Sequence, residues 1–343
     1  MRWIDKSWMR ADSAATVVGT ERIEGDDMAR EIDINIPEQD GRRAVVTGGS
    51  DGIGLRIAIR LARAGAEVVL PVRNRAKGDA ALDTIRAAAP DASVYLRDLD
   101  VSSLESVATF AAELRQQGRP VHLLVNNAGL MTPPDRQLTV DGAEVQFGTN
   151  HLGHFALVAG LLPLLTEGRA RVVSQISVAA NRGSINWDDL AWEGGYDGMG
   201  AYSQSKIALG LFAVELGRRS ERYGWSVTSV LAHPGVAPTS LLAARPEVGR
   251  ADDTRSVRLI RWLSARGLVV GNAETAALPA LLAATVPDAA NGTLYGPQGL
   301  GHLGGAPATQ RLYSRLRSPD DARRVWDVSE HLTGVAFPST TVG

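Results

Sequence analysis

Residues 47–54 read TGGSDGIG and come directly after the apolar run 44–46, Ala-Val-Val. The segment that follows, 54–64, carries apolar residues at spacings of three and four, which predicts a helix. A glycine-rich turn between a strand and a helix is either a flexible connection or a phosphate-binding loop, because glycines allow close backbone approach and a helix N-terminus presents unpaired N–H groups. The spacing is Gly-x-x-x-Gly-x-Gly rather than Gly-x-Gly-x-x-Gly. The loop alone therefore leaves both interpretations open.

Short β-branched runs alternate with longer amphipathic segments as far as residue 232. The pattern predicts strands at 43–47, 67–70, 94–96, 121–125, 171–176 and 226–232, and helices at 54–64, 76–88, 103–117, 140–166 and 202–220. Such alternation is typical of βαβ units, whose parallel sheet is covered by helices on both faces. The predicted fold is α/β, a doubly wound parallel sheet (Rossmann fold), in a single domain with N- and C-terminal extensions.

The composition limits the classes of function. The chain has 343 residues, 44% of them hydrophobic, and a formal net charge of −2, which argues against a nucleic-acid or anionic-membrane partner. It has no cysteine, so disulfides and thiolate metal sites are excluded. The longest apolar stretch, 155–165, is far shorter than the roughly 20 residues that span a bilayer. The first 42 residues lack the apolar core of a secretory signal, and Met28 is an alternative start. We expect a soluble cytoplasmic protein.

The second predicted strand is followed by a basic residue. In NAD-binding folds of this type, an acidic residue at this position binds the ribose 2′-hydroxyl. Arg73 stands 19 residues after Gly54, and no Asp or Glu occupies 70–76. A guanidinium can grip a 2′-phosphate through two parallel hydrogen bonds, so the sequence favours NADP(H) over NAD(H). The alternative is that Arg73 and Arg75 are solvated loop residues. Asp100, after the third strand, is a candidate acceptor for the adenine amino group, and Asp98 competes with it.

A tyrosine and a lysine lie one helical turn apart in the segment AYSQSK, 201–206. Tyr202 and Lys206 share one helix face because they are four residues apart. Free tyrosine has a pKa near 10, and a nearby ammonium would lower it toward the range useful for proton transfer. Of the 36 lysine and arginine residues, only Lys6, Lys77 and Lys206 are lysines. A lysine beside Tyr202 is therefore notable in a chain that otherwise uses arginine. A chance pairing is the alternative.

These motifs together resemble the classical, NADP-preferring short-chain dehydrogenases/reductases, in particular the retinol-dehydrogenase-like branch. The similarity covers roughly residues 37–300 and rests on eight segments in order: TGGSDGIG, VVLPVRN, LDVSSLESV, LLVNNAGL, TVDGAEVQFGTNHLGHF, RVVSQISVAA, AYSQSK and HPGVAPTS. The resemblance implies a domain over 37–300 that includes a substrate lid at about 240–268. Residues 1–36 and 301–343 are then terminal extensions.

The resemblance also implies roles. Tyr202 is the general acid for ketone reduction and the base in reverse, and Lys206 holds the nicotinamide ribose and lowers the tyrosine pKa. Ser177 bonds the substrate oxygen and is favoured over Ser174 because it falls at a strand end. Asn150 kinks its helix and holds a water that links Lys206 to solvent. The implied cofactor-binding residues are Gly48, Ser50, Asp51, Gly52, Ile53, Gly54, Arg73, Asp100, Asn127, Ala128, Gly129, Tyr202, Lys206, Pro234, Gly235 and Thr239.

The function predicted is interconversion of a small-molecule ketone or aldehyde with an alcohol, using NADP(H). Leu259, Ile260, Trp262 and Leu263 stand beside Arg255, Arg258 and Arg261, a pattern that indicates an amphipathic helix with one face in water and one on the core. Because the resemblance implies a substrate lid in this region, the apolar residues can also indicate a hydrophobic substrate. The alternatives are a non-catalytic NADP(H) sensor and a reductase of C=C bonds or carrier-bound ketones. His151 and His154 lack a third ligand, so no metal is predicted. The helices at 152–166 and 203–220 are expected to pair in a homodimer or homotetramer, as in the family.

Overall fold

The computed structural model describes residues 32–237 and 271–339, and in this part of the chain one sheet organises the fold. Its strands are β1 Arg43–Val46, β2 Glu67–Val72, β3 Val94–Asp98, β4 Leu123–Asn126, β5 Arg171–Gln175, β6 Thr228–Ala232, β7 Leu294–Pro297 and β8 Pro307–Gln310. They lie in the order β3-β2-β1-β4-β5-β6-β7-β8. All neighbours are parallel except β7 and β8. The predicted doubly wound parallel sheet is confirmed.

Helices cover both faces of the sheet. They are α1 Gly52–Arg63, α2 Arg75–Ala88, α3 Leu104–Gln117, α4 Val145–Phe147, α5 Gly153–Glu167, α6 Gly198–Tyr223, α7 Ala273–Thr285 and α8 Pro319–Thr333. Buried residues of α3, α5, α6 and α8 form one core, and those of α1, α2 and α7 form the other. Val45 faces the first core and Val46 the second, which is why the central strands read as continuous apolar runs.

The sheet creates a crevice where the strand order reverses. β1 pairs with β2 on one side and with β4 on the other. In open parallel sheets, ligands bind beyond the carboxyl ends of the strands at this switch point, because the loops diverge there. The segments 47–54 and 127–130 follow β1 and β4 directly, so both predicted motifs lie at the crevice.

The predicted helix over 140–166 is interrupted. α4 passes into a π-helical turn, Gly148–Leu152, before α5 begins. Such turns are short, and they often occur at functional sites. Asn150, which the resemblance expects to kink its helix, lies in the middle of this turn. α6 begins at Gly198, four residues before the expected start, because the Asp197 side chain caps it by accepting from the Met199 N–H.

Residues after 300, assigned to an extension by the sequence analysis, contribute to the sheet and to the first core. β8 pairs with β7, with Gln310 opposite Leu294. α8 places Trp326, fully buried, 5.3 Å from Phe155 and 5.6 Å from Phe212 between ring centroids. The domain prediction itself is not tested by these contacts. The predicted lid at about 240–268, Thr239 and most of the N-terminal extension lie outside the described residues.

Candidate active site

The glycine-rich loop is packed so closely at Gly48 and Gly54 that neither position leaves room for a side chain. A Cβ at Gly54 would lie 2.2 Å from the Gly48 carbonyl oxygen, and Gly48, at φ +64°, would place one 2.9 Å from the Ala128 Cα. Ser50 and Ile53 are partly exposed and Asp51 is exposed. Asp51 caps α1 by accepting from the Gly52 N–H. The loop thus presents bare backbone at a helix N-terminus, which fits a dinucleotide pyrophosphate.

The turn after β4 is braced against this loop. The Asn127 and Ala128 N–H groups both donate to Thr47 Oγ1 at 2.9 Å. The Asn127 side chain donates to the Thr47 carbonyl at 2.8 Å and accepts from Gln175 Nε2 at 3.0 Å. Both walls of the crevice are therefore joined through Thr47.

Arg73 lies at the outer end of the crevice, immediately after β2. Its side chain is 60% exposed, and its Nη1 lies 3.8 Å from Asp100 Oδ2. The two groups form an ion pair, but the distance is too long for a hydrogen bond. The other Asp100 oxygen accepts from the Ser102 N–H and hydroxyl at 2.9 and 2.6 Å. Asp98 is 88% exposed and stands 3.7 Å from Arg75. A weak exposed pair is easily exchanged for a stronger anion, so Arg73 fits a 2′-phosphate.

Tyr202, Ser177 and Lys206 are brought together at the carboxyl end of β5. Ser177 starts a short 3₁₀ turn after β5 and lies beside the Tyr202 hydroxyl. Ser174, the rejected candidate, is fully buried within β5 opposite Asn126. Tyr202 and Lys206 stand on consecutive turns of α6, and both are nearly completely buried.

The expected lowering of the Tyr202 pKa is contradicted by the structure. Burial raises the pKa of Tyr202, and the nearby Ser177 hydroxyl only partly opposes this rise. The Lys206 Nζ lies 6.0 Å from the tyrosine ring centre and donates to the Gln175 carbonyl at 2.9 Å, and it does not offset the effect of burial on the pKa of Tyr202. Burial also lowers the pKa of Lys206, to about 8.

Asn150 joins the crevice to this cluster. Its side chain forms two hydrogen bonds with the Leu130 backbone, at 2.9 and 3.0 Å, and donates to Ser205 Oγ at 2.9 Å. A Cβ at Gly129 would lie 2.9 Å from Asn150 Oδ1 and 3.7 Å from Lys206 Nζ. Gly129 therefore permits the close approach of the asparagine and the lysine.

Two glutamines that the sequence analysis missed hold the site together. Gln175 binds Lys206 through its carbonyl and Asn127 through its side chain. Gln146 accepts from the Thr132 N–H at 2.8 Å and donates to the Gly198 carbonyl at 2.9 Å, so it ties the loop after β4 to the start of α6. Gln175 could have been found as the polar residue that ends a buried strand. Gln146 has no such signal.

The Pro234-Gly235 segment is supported by the C-terminal part of the chain. The Gly235 N–H donates to His233 Nδ1 at 3.2 Å, and His233 Nε2 donates to Gln310 Oε1 at 2.8 Å. The Val236 N–H donates to the Leu303 carbonyl at 2.8 Å. Leu303 lies 67 positions after Val236, and Gln310 lies 77 positions after His233, so no local motif indicates these two partners.

The two histidines of the NHLGH segment have separate partners. His151 Nε2 lies 2.7 Å from Ser329 Oγ on α8, whereas His154 lies between Thr47 and the Asn150 carbonyl. Among residues 32–237 and 271–339, no group of three His, Asp or Glu side chains is arranged to hold a metal ion. The described helices also include none with the length and apolar character needed to cross a bilayer.

Comparison with known proteins agrees with this geometry. The family described as "short chain dehydrogenase" matches residues 42–248. Human retinol dehydrogenase 13 is 36% identical over 301 residues, which are 87% of this chain and 86% of that protein. Polyprenol dehydrogenase from Mus musculus is 38% identical over 304 residues, again 87% and 86%.

Two solved structures extend the comparison. An uncharacterized protein from Mycobacterium paratuberculosis has a TM-score of 0.71 and 34% identity, covering 89% of this chain and 97% of that one. A protein from Beutenbergia cavernae, described as an NAD(P)-dependent gluconate 5-dehydrogenase with bound NADP, has a TM-score of 0.54 and 28% identity. That comparison covers 72% of this chain and 91% of the other.

Proposed function

The chain belongs to the short-chain dehydrogenase family, and on this premise we propose that it is an NADP(H)-dependent oxidoreductase that interconverts a ketone or aldehyde with an alcohol. The observation that carries the proposal is that Tyr202, Ser177 and Lys206 lie together in a chain whose glycine-rich loop opens onto the crevice. A bound nicotinamide supplies or accepts the hydride. A non-catalytic sensor would have no need of this cluster.

In the proposed reaction, Tyr202 donates its phenolic proton to the carbonyl oxygen. Ser177 also donates a hydrogen bond to that oxygen and stabilises the negative charge that develops on it. Lys206, whose Nζ donates to the Gln175 carbonyl, binds the ribose hydroxyls in this proposal. Burial raises the pKa of Tyr202, so the phenol carries the proton that it donates to the carbonyl oxygen.

The substrate is proposed to be hydrophobic. The named relatives include dehydrogenases of retinol and polyprenol, both apolar alcohols, and four large apolar residues, Leu259, Ile260, Trp262 and Leu263, lie on either side of Arg261. The test is a spectrophotometric screen of NADPH consumption over hydrophobic aldehydes, ketones and a carrier-bound ketone. Turnover of free apolar carbonyls is expected. Tight NADPH binding with no consumption would favour the sensor, and turnover of the carrier-bound ketone alone would favour the carrier alternative. The cytoplasmic location stays a prediction.

The Arg73→Asp variant tests the choice of cofactor. Loss of charge-assisted bonds to a 2′-phosphate is expected to shift the ratio of kcat/KM values from NADPH toward NADH by about 10- to 100-fold. Arg75→Asp is the matched control, because Arg75 is equally exposed but pairs with Asp79 and Asp98. Equal shifts in the two variants, or none in either, would remove Arg73 from this role.

The pairing of two chains through the long helices stays a prediction, and the way those helices are covered within the chain argues against it. α8 packs along α6 and inserts Trp326 into the core. The apolar side chains of α5 from Phe155 to Leu165 are nearly all buried within the chain. We therefore propose that these helices form no two-fold interface, and we expect sedimentation to give the mass of a single chain. A stable dimer whose interface maps to α5 and α6 would contradict this.

A further inference from the structure

We propose that His154 is a positioning residue that locks the glycine-rich loop and the Asn150 turn into one arrangement, an inference whose relevance to catalysis depends on the proposed function. His154 lies at the start of α5, one turn after Asn150, and is completely buried. Its Nε2 stands 3.0 Å from Thr47 Oγ1, and its Nδ1 stands 3.0 Å from the Asn150 carbonyl oxygen. Nothing in the proposed chemistry uses this imidazole.

The partners determine where the ring proton lies. A carbonyl oxygen can only accept, so Nδ1 carries the hydrogen and Nε2 presents a lone pair. Thr47 Oγ1 already accepts from the Asn127 and Ala128 N–H groups, and its single proton must go to His154 or to the Val125 carbonyl at 3.1 Å. If it went to Val125, two lone pairs would face each other across 3.0 Å. The Thr47 hydroxyl therefore donates to His154.

The imidazole is neutral in this arrangement. Burial lowers the pKa of His154 to about 4, and the charge of Lys206 adds to the effect, while the bond to the Asn150 carbonyl opposes it. A neutral ring fits this arrangement because a proton on Nε2 would be a third N–H directed at Thr47 Oγ1, which already accepts from the Asn127 and Ala128 N–H groups. The tautomer is thus maintained over the whole physiological range of pH.

The result is one directed path of hydrogen bonds through the interior. It runs from the amides of residues 127 and 128 through Thr47 and His154 to the Asn150 backbone. From there, the Asn150 side chain continues to the Leu130 backbone and to Ser205 on α6. A buried network in which every member is bonded allows few alternative arrangements. His154 thereby couples the position of the crevice wall to that of the helix that carries Lys206.

The first test is the tautomer, which can be read without turnover. Long-range ¹H–¹⁵N correlation spectra of the full chain should include the signal of a neutral histidine protonated at Nδ1 from pH 5.5 to 8, and this signal should vanish in His154→Phe. His233, which donates through Nε2, gives the opposite pattern and serves as an internal reference. A His154 that is protonated at Nε2, or charged in this range, would overturn the proposal.

The second test separates positioning from packing. His154→Phe is compared with His151→Phe, since both rings are fully buried in the same turn but His151 bonds Ser329 on α8. His154→Phe is expected to weaken NADPH binding and to lower kcat, each by about tenfold or more, whereas His151→Phe should lower only the melting temperature. NADPH affinity is measured by fluorescence titration on the wild type and on both variants. If the wild type itself bound no NADPH, the proposed function would be refuted rather than the positioning role of His154. Equal kinetic effects of the two variants would refute positioning.

The partner of His154 gives an independent check. Thr47→Val removes the hydroxyl at nearly constant volume, and Thr47→Ser keeps it. Because Thr47 and His154 belong to one path, the double variant Thr47→Val/His154→Phe should lose about as much NADPH affinity as either single variant. Thr47→Ser should retain the wild-type value. Additive losses, or failure of Thr47→Ser to retain affinity, would show that the two residues act separately.

Discussion

Tyr202→Phe is expected to lower kcat for carbonyl reduction by about 10²- to 10⁴-fold, which is the usual contribution of a positioned general acid. The change removes one oxygen from a nearly buried ring and leaves the surrounding packing of α6 intact. NADPH affinity, measured by fluorescence titration, should stay close to the wild-type value. The expected pattern is therefore loss of kcat without loss of cofactor binding.

Tyr223→Phe is the matched control, because Tyr223 ends the same helix far from Ser177. Its kcat for carbonyl reduction should equal that of the wild type. Wild-type turnover by Tyr202→Phe would overturn the assignment of the general acid, and with it the proposed role of the whole cluster.

The parts of the site that depend on local spacing could be predicted from the sequence. The glycines at 48, 52 and 54 follow a strand directly, and Tyr202 and Lys206 are one helical turn apart. Spacing along the chain determines both arrangements, because strand, turn and helix geometry are local properties. The parallel sheet followed from the alternation of strands and helices, whereas the position of β4 beside β1 rather than β3 was not predicted.

What the sequence could not predict depends on distant contacts and burial. Gln175 binds Lys206 across 31 positions, and Gln310 supports His233 across 77. The direction of the Tyr202 pKa shift is the clearest case. Spacing indicated a nearby ammonium, which lowers a phenol pKa, but burial of the phenol dominates and raises it. Burial is a property of the folded chain and is not visible in a four-residue spacing.

The C-terminal helix leads to the second large expected effect. Trp326→Ala should lower the free energy of unfolding by about 3–5 kcal/mol, as is usual for removal of a large aromatic side chain from a core. The indole is fully buried, lies 4.4 Å from the Phe337 ring between centroids, and is covered on its other side by the Arg219 guanidinium at 4.3 Å. A cavity left there would open between α5, α6 and the end of the chain. Urea denaturation followed by circular dichroism measures the change.

Leu332→Ala is the control on the same helix, because Leu332 is 46% exposed and its truncation should change stability by less than about 1 kcal/mol. The comparison decides whether residues after 300 are part of the folding unit. If Trp326→Ala unfolded at the same urea concentration as Leu332→Ala, α8 would be a detachable appendage, and the α6 face beneath it would again be available to a second chain. A large difference between the two variants would show that α8 belongs to the folding unit and that Trp326 covers α6 within one chain.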